Sequence, residues 1–390
     1  MVGHGRTERA DAIRGAAVRA AGAATGVDEF FEAVMRAVRP VLRSDVWAGF
    51  TVDPDTLLNT GGYYRYAVPL HYMPRMLDIE YREGDVNGVP ELSREPVPVR
   101  LLSEAVGGAR ERSPRYRDII APLGLSDEAR FVLRDRYGTW GGLTLGIGRD
   151  TPPFSPEARA VARSLTEPLG GILRRLHLSR RAWGEHPATP PPPGAAPAPA
   201  LVLLDEEYTP VQFSPTAPLW LDELPAPGTP FAPDTGPARG GLSPALYGVA
   251  AAVRAPGSPG FLVSWAQTRT RGRVRLHAWH LALPGPARVA IAVEPAGPGE
   301  HIALITAAHG LTPREGEITG LVLRGHSTAE ISRLADLSPY TVQEHLKSVF
   351  DKTGVRSRRD LVAALFTRHT EPALLKTATA DGVTGRTGLL

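Results

Sequence analysis

The sequence predicts a multidomain chain: two α+β regions followed by a small all-α module of four helices. Its 390 residues exceed what one ordinary core organises, so two or three domains are expected. A stretch rich in proline and alanine, Pro187 to Pro199 (PATPPPPGAAPAP), lacks bulky apolar residues and reads as an extended spacer between two folding units. Near the C-terminus, four helix-start signals and two stop signals crowd into about sixty residues. The resulting division is 10–182, a spacer over 183–200, 201–296, a helical module over 305–369, and a tail over 370–390 that reads as disordered.

Composition removes several function classes. The chain has no cysteine, which excludes disulfides, thiol switches, iron–sulfur clusters and thiolate zinc sites. Hydrophobic residues make up 42%, enough for globular cores, and no apolar run approaches the roughly 20 residues that cross a bilayer. The N-terminus, MVGHGRTERADAIRG, is charged and lacks an apolar segment of secretory type, so a soluble cytoplasmic protein with no membrane partner is expected. The net charge of +3 is too small to argue for nucleic acid by itself. Lysine occurs only at Lys347, Lys352 and Lys376, and two of these fall in one predicted helix of the C-terminal module.

In the first region, residues up to about Arg9 read as a loose end. Phe30, Phe31, Val34, Val38 and Val41 recur at helical spacing within Ala10 to Pro40, punctuated by Gly26 and Asp28. Val46 to Val52 reads as a strand, Pro54 and Asp55 as a turn, and Thr56 to Tyr64 as a partner strand. Val99 to Val106 and Pro114 to Leu123 read as helical or irregular. Ala129 to Arg134 with Gly138 to Gly148 reads as a hairpin in which Leu143, Leu145 and Ile147 alternate with Gly142, Thr144 and Gly146, giving one apolar and one small face. Ser155 to Leu178 carries a helix start, and Pro168 is expected to kink or divide that helix. A sheet between an opening and a closing helix, with the phrases DIIAPLGL, YGTWGGLTLGIGRDTPPFSPEA and LGGILRRLHL, resembles a GAF-type sensor domain. The same elements also suit an α+β module used only for dimerisation.

Beyond the spacer, Leu201 to Leu204 and Val211 to Phe213 read as strands, Ala217 to Leu224 as a short helix, Pro225 to Pro244 as a long loop and Leu242 to Val253 as a helix. Phe261 to Thr268, Arg273 to Leu283 and Arg288 to Val293 then read as strands, with a hairpin turn at Thr270 to Gly272. Strand, strand, helix, helix and three strands resembles a PAS domain.

No cofactor is implied. His277 and His280 stand three apart on a strand, which puts them on opposite faces and keeps them from sharing a metal. His71 among Tyr63, Tyr64, Tyr66 and Tyr72 forms an aromatic cluster that suits either a pocket wall or, more commonly, a packed surface. There is no GxxxxGK[ST] phosphate loop, no receiver-domain arrangement of acidic residues and lysine, and no nucleophile, base and metal constellation that would indicate an enzyme.

In the C-terminal module, Thr312 with Glu315 and Ser327 with Glu330 have capping-box spacing. Ser338 before Pro339 marks a third start, and Ser357 with Asp360 a weaker fourth; Gly325 and Gly354 sit where helices end. Ile318, Leu321 and Val322, then Ile331, Leu334 and Ala335, then Val342, Leu346, Val349 and Phe350 form apolar stripes that close a small core over Leu337. The third helix leaves Tyr340, Gln343, Glu344, Lys347 and Asp351 on a polar face.

This stretch resembles the LuxR-type helix-turn-helix, matching it at Leu311-Thr312-Pro313-Arg314-Glu315, Glu317-Ile318, Gly325, Ser327, Glu330-Ile331, Leu334, Ser338, Thr341-Val342, His345, Lys352, Gly354-Val355 and Arg358. The whole chain resembles actinobacterial regulators that join a GAF-like sensor to such a module. The resemblance implies a third helix in the major groove of double-stranded DNA, with Tyr340, Gln343, Glu344 and Lys347 toward base edges. Ser338, Thr341, His345, Lys352, Arg356, Arg358 and Arg359 would contact the DNA backbone or fix the helix. Gln343 stands where the family commonly has lysine; glutamine can pair with adenine, and Glu344 can accept from cytosine. The implied protein is a homodimeric transcription regulator responding to a small-molecule or protein effector, with RNA polymerase as a further partner. The alternative is a regulator whose upstream regions act only as interaction or dimerisation platforms.

Overall fold

The computed structural model describes residues 2–64, 68–178, 198–224, 241–268, 272–282, 285, 288–295 and 309–362. Contacts divide the chain into two compact units: one formed by residues 1–184 with 199–295, the other by 185–198 with 296–390. Most of the Pro187–Pro199 spacer, the turn at Thr270, Tyr66 and the tail over 370–390 lie outside the described residues, as does most of the Pro225–Pro244 loop.

The first unit opens with α1 (Val2–Ala23) and α2 (Val27–Val38). The helix thus starts earlier than the sequence reading placed it and breaks at Gly26, where Glu29 accepts from the Thr25 amide and hydroxyl. Ala17 and Ala21 are fully buried, and such small side chains let α1 approach its neighbours closely. Strands β1 (Val46–Val52) and β2 (Asn59–Tyr63) follow. Next come α3 (Met73–Asp78), widening into a π-type turn over Ile79–Glu83, and α4 (Val89–Leu92). The segment expected to be helical or irregular splits into an edge strand, β3 (Val99–Leu101), and a helical turn, α5 (Leu102–Ala105); another π-type turn spans Tyr116–Ile120. The hairpin of β4 (Leu125–Asp135) and β5 (Gly138–Gly148) completes an antiparallel sheet of order β2-β1-β5-β4-β3.

The closing helix α6 (Pro156–Leu178) runs through Pro168 without dividing. Proline at 168 cannot donate to the Ser164 carbonyl, and that carbonyl instead accepts from Arg14 Nε of α1 at 3.3 Å. Gly170 lets α6 lie directly on the hairpin, since a Cβ there would meet the Arg134 backbone at 2.5 Å. The apolar β5 face (Leu143, Leu145, Ile147) is buried.

On the opposite face of the sheet, the small β5 face leaves room. A cavity of about 70 Å³ lies there, between Val46, Ala48 and Phe50 of β1, Thr144 and Gly146 of β5, and side chains of α3 and the two π-type turns. Tyr64 lines this cavity, whereas His71 is exposed and rests on Tyr72. The aromatic cluster thus divides between pocket wall and surface.

The second half of this unit contains β6 (Ala200–Leu204), β7 (Pro210–Phe213), α7 (Ala217–Glu223), α8 (Pro244–Val253), β8 (Phe261–Gln267), β9 (Arg273–His280) and β10 (Val289–Pro295). This is the element order read from the sequence, and its sheet has the order β7-β6-β10-β9-β8. Numbered from its own first strand, it repeats the second-first-fifth-fourth-third order of the first sheet. His277 Nε2 donates to Glu294 Oε1 at 2.6 Å, and among the described residues no group of three metal-ligating side chains occurs.

Among the described residues no strand is shared between the two sheets, yet the segments flanking the spacer share one core. Helix α8 is apolar on nearly every side and buried accordingly. Its Leu246, Val249 and Val253 join Leu276 and Ile291 of the second sheet and Met73 and Leu77 of α3 in one cluster. A polar tie crosses the same boundary: buried Asp78 accepts from the Tyr208 hydroxyl and from Arg82. A boundary drawn from proline content marks where the strand sets change, and apolar packing joins what lies on either side.

In the second unit, α9 (Pro313–Leu323), α10 (Thr328–Leu334) and α11 (Pro339–Thr353) surround Ile318, Val322, Ile331, Val342, Leu346 and Val349. Leu334, expected in the second stripe, is 58% exposed. Helix α10 ends at that residue, so its short core stripe closes through Ile331 and Ala335 instead. Residues 358–362 are helical, with the Asp360 amide donating to Ser357 Oγ at 3.0 Å. Leu361 of this fourth helix is fully buried in the module core, and residues from 363 on lie outside the described residues.

Candidate nucleic-acid interface

The α10–turn–α11 element is fixed from both ends. Ser327 and Glu330 form the predicted capping box on α10. Ser338 accepts from the Thr341 amide at 3.1 Å and caps α11, whose first residue is Pro339. Between them Asp336 takes a left-handed conformation at φ 50°, and the Leu337 amide reaches back to the Ser332 carbonyl at 3.0 Å. The Ser332 hydroxyl bonds the Leu337 carbonyl, and the Arg314 guanidinium bonds the Ala335 carbonyl, so α9 also holds the turn. Gly354 ends α11 at φ 73°, where the Val355 amide returns to the Phe350 carbonyl at 3.1 Å.

Glu315 joins α9 to α11. Its side chain is nearly inaccessible, and it accepts from the Thr312 amide at 2.6 Å, Ser348 Oγ at 2.6 Å and Lys352 Nζ at 2.7 Å. Burial alone would raise its carboxyl; Lys352, Ser348 and the Thr312 amide overrule that and hold it down at about 2. The sequence identified Glu315 as a cap, which it is. Its second role, anchoring α11, was missed, although Ser348 and Lys352 at an i, i+4 spacing were available as the signal.

The face that α11 turns outward is the expected one. Tyr340 is 75% exposed, and Gln343, Glu344, Lys347 and Asp351 are all exposed. Apart from the adjacent pair Gln343 and Glu344, they recur at intervals of three and four residues, opposite the buried Val342, Leu346 and Val349. The second group is less uniform. Thr341 and His345 are half-buried, and the Ser338 hydroxyl is engaged with Thr341 Oγ1 at 2.8 Å. Lys352 is bound to Glu315. Arg356 and Arg359 are exposed and Arg358 half-buried, just past the end of α11. The arrangement therefore combines a rigid exposed polar ridge with guanidinium groups at one end, a chemistry suited to hydrogen bonding in a groove flanked by phosphates.

Residues 309–365 match the family described as bacterial regulatory proteins, luxR family. Over 53 residues the chain is 45% identical to a monoamine regulon transcriptional regulator of Klebsiella aerogenes; the aligned part is 14% of this chain and 23% of that protein. The similarity thus covers about a quarter of the relative's length.

Proposed function

We propose that this chain is a LuxR-family transcription regulator that binds double-stranded DNA with α11 in the major groove. The carrying observation is the exposed ridge of Tyr340, Gln343, Glu344 and Lys347 within the segment that matches the family. Gln343 and Lys347 supply donors that suit adenine or guanine edges, and Glu344 an acceptor that suits cytosine N4. Arg356, Arg358 and Arg359 neutralise phosphate, and the N-terminal end of α11 at Ser338 and Thr341 faces the backbone. Lys352 and His345 position the helix, Lys352 through its bond to Glu315.

One short helix contacts few base pairs, so useful affinity calls for a second copy of the chain on adjoining half-sites. The upstream unit is the signal-receiving part. Its two sheets of like strand order agree with the GAF-like and PAS-like resemblances, and its cavity offers a place for an effector. Regulation at a promoter brings RNA polymerase within reach. Selection of bound duplexes from a random library by the full chain, followed by footprinting, tests this reading. It predicts a two-fold symmetric motif; recovery of no enriched sequence would remove the basis for it.

A further inference from the structure

The cavity beneath the first sheet holds a polar end and an apolar body, and the polar end is incompletely bonded. Arg115 is 1% exposed. Its Nη2 donates to the Val86 carbonyl at 2.8 Å and its Nε lies 2.9 Å from Glu128 Oε1. By hydrogen-bond geometry neither Nε nor Nη1 has a partner among the described residues, although Glu80 and Asp85 oxygens lie 3.9 and 3.8 Å from Nη1. Arg130 pairs with Glu80 and, at 2.9 Å, with Glu128. A buried guanidinium donor left without an acceptor is costly, and such a group beside a void marks a missing partner.

The charges around it limit what that partner can be. Two guanidinium groups stand against the carboxylates of Glu80, Glu128 and Asp85. Burial acts to raise Glu80, but Arg130 and Arg115 hold it below the ordinary carboxylate range. By formal count three carboxylates stand against two guanidinium groups, one negative charge in excess. An anionic ligand would add another in a low-dielectric site, whereas a neutral oxygen satisfies Nη1 without that penalty. The rest of the wall is apolar and soft: Phe50, Tyr64, Tyr81, Met73, Met76 and Leu77. The cavity is partly open, so a flat apolar molecule larger than its about 70 Å³ can extend through the mouth, and methionine and aromatic side chains accommodate such a shape.

We propose that this cavity binds a small, neutral, aromatic or otherwise apolar molecule whose carbonyl or hydroxyl oxygen accepts from Arg115 Nη1. This rests on the upstream unit being the signal-receiving part. Three probes of closely similar size and shape separate the alternatives: acetophenone, α-methylstyrene and benzoate, titrated into the full chain by calorimetry with saturation-transfer NMR. Acetophenone is expected to bind about tenfold or more tightly than α-methylstyrene, which lacks the acceptor, and more tightly than benzoate. Ala48→Leu, which fills the cavity from the strand floor and leaves the charge cluster intact, is expected to abolish binding of all three. Arg115→Lys keeps the charge but not the guanidinium geometry, and is expected to level acetophenone and α-methylstyrene.

Tightest binding of benzoate, equal binding of acetophenone and α-methylstyrene to the native chain, binding that survives Ala48→Leu, or no binding at all would each overturn the proposal. The last would mean a cavity that holds only water. DNA affinity measured on the same samples separates this from the broader reading. Probe binding of the expected order that leaves DNA affinity unchanged contradicts signal reception and supports the cavity's chemistry; absence of DNA binding both with and without probe contradicts the regulator instead.

Discussion

Replacing Glu315 by glutamine tests whether the recognition face owes its rigidity to one buried carboxylate. The side chain is 4% exposed and accepts from Thr312, Ser348 and Lys352. Its folded value of about 2 against an ordinary 4.5 corresponds to about 3 kcal/mol of stabilisation at neutral pH. Glutamine keeps the shape but loses the charge and turns an N–H toward donors, so Glu315→Gln should cost about 2 to 3 kcal/mol. That is a large share of the few kcal/mol expected for a small module. Hydrogen exchange of the full chain at pH 7, followed in peptides from α9 and α11, should show protection reduced roughly 30- to 150-fold. Because the folded value is depressed, the stabilisation is present above about pH 4.5 and is lost as pH falls toward 2. Native α9 and α11 should therefore lose protection below pH 4.5 in a way the Glu315→Gln chain does not. Protection within threefold of native at pH 7, or identical acid dependence in both chains, would refute the anchoring role.

Further consequences concern the upstream unit. Tyr208→Phe removes the hydroxyl that donates to buried Asp78 across the two halves, and should lower stability by about 1 to 2 kcal/mol in denaturant titrations; an unchanged midpoint would show that the tie is idle. Buried His177 is pushed down to about 4, first by desolvation and then by the charge of Arg273. It folds neutral while the unfolded chain protonates near 6.5, so stability should fall by up to about 3 kcal/mol as pH drops from 6.5 to 4. His177→Gln should flatten this part of the pH profile, which thermal melts across that range would register.

The sequence was most informative where local rules decide the structure. Ser327, Ser338 and Gly354 announced their caps because capping depends on residues within one turn, and the strand over Val46–Val52 followed from a short β-branched and aromatic run. The exposed ridge of α11 followed from helical periodicity. Leu334 misled because helix α10 is too short to carry the stripe that its spacing suggests. Strand β3 has only three residues and owes its conformation to pairing with β4. The Arg115 cluster was invisible because Glu80, Arg115 and Arg130 meet only through tertiary folding. Its one local trace is Glu128 and Arg130 alternating on a strand, opposite the small residues Thr144 and Gly146. The shared core around α8 was hidden by a proline-rich segment that marks a change of strand set while leaving the apolar packing continuous.

In the proposed function α11 reads DNA while the arginines beyond it grip the backbone. Fluorescence anisotropy of the full chain on a selected duplex and on a scrambled one, at several salt concentrations, tests it directly. Lys347→Ala should weaken binding to the selected duplex by about 1 to 3 kcal/mol and narrow its advantage over the scrambled one. Arg358→Ala should weaken both duplexes alike and flatten the slope of log affinity against log salt by about one. Unchanged affinity in both variants, or a Lys347→Ala loss equal on the two duplexes, would contradict the account.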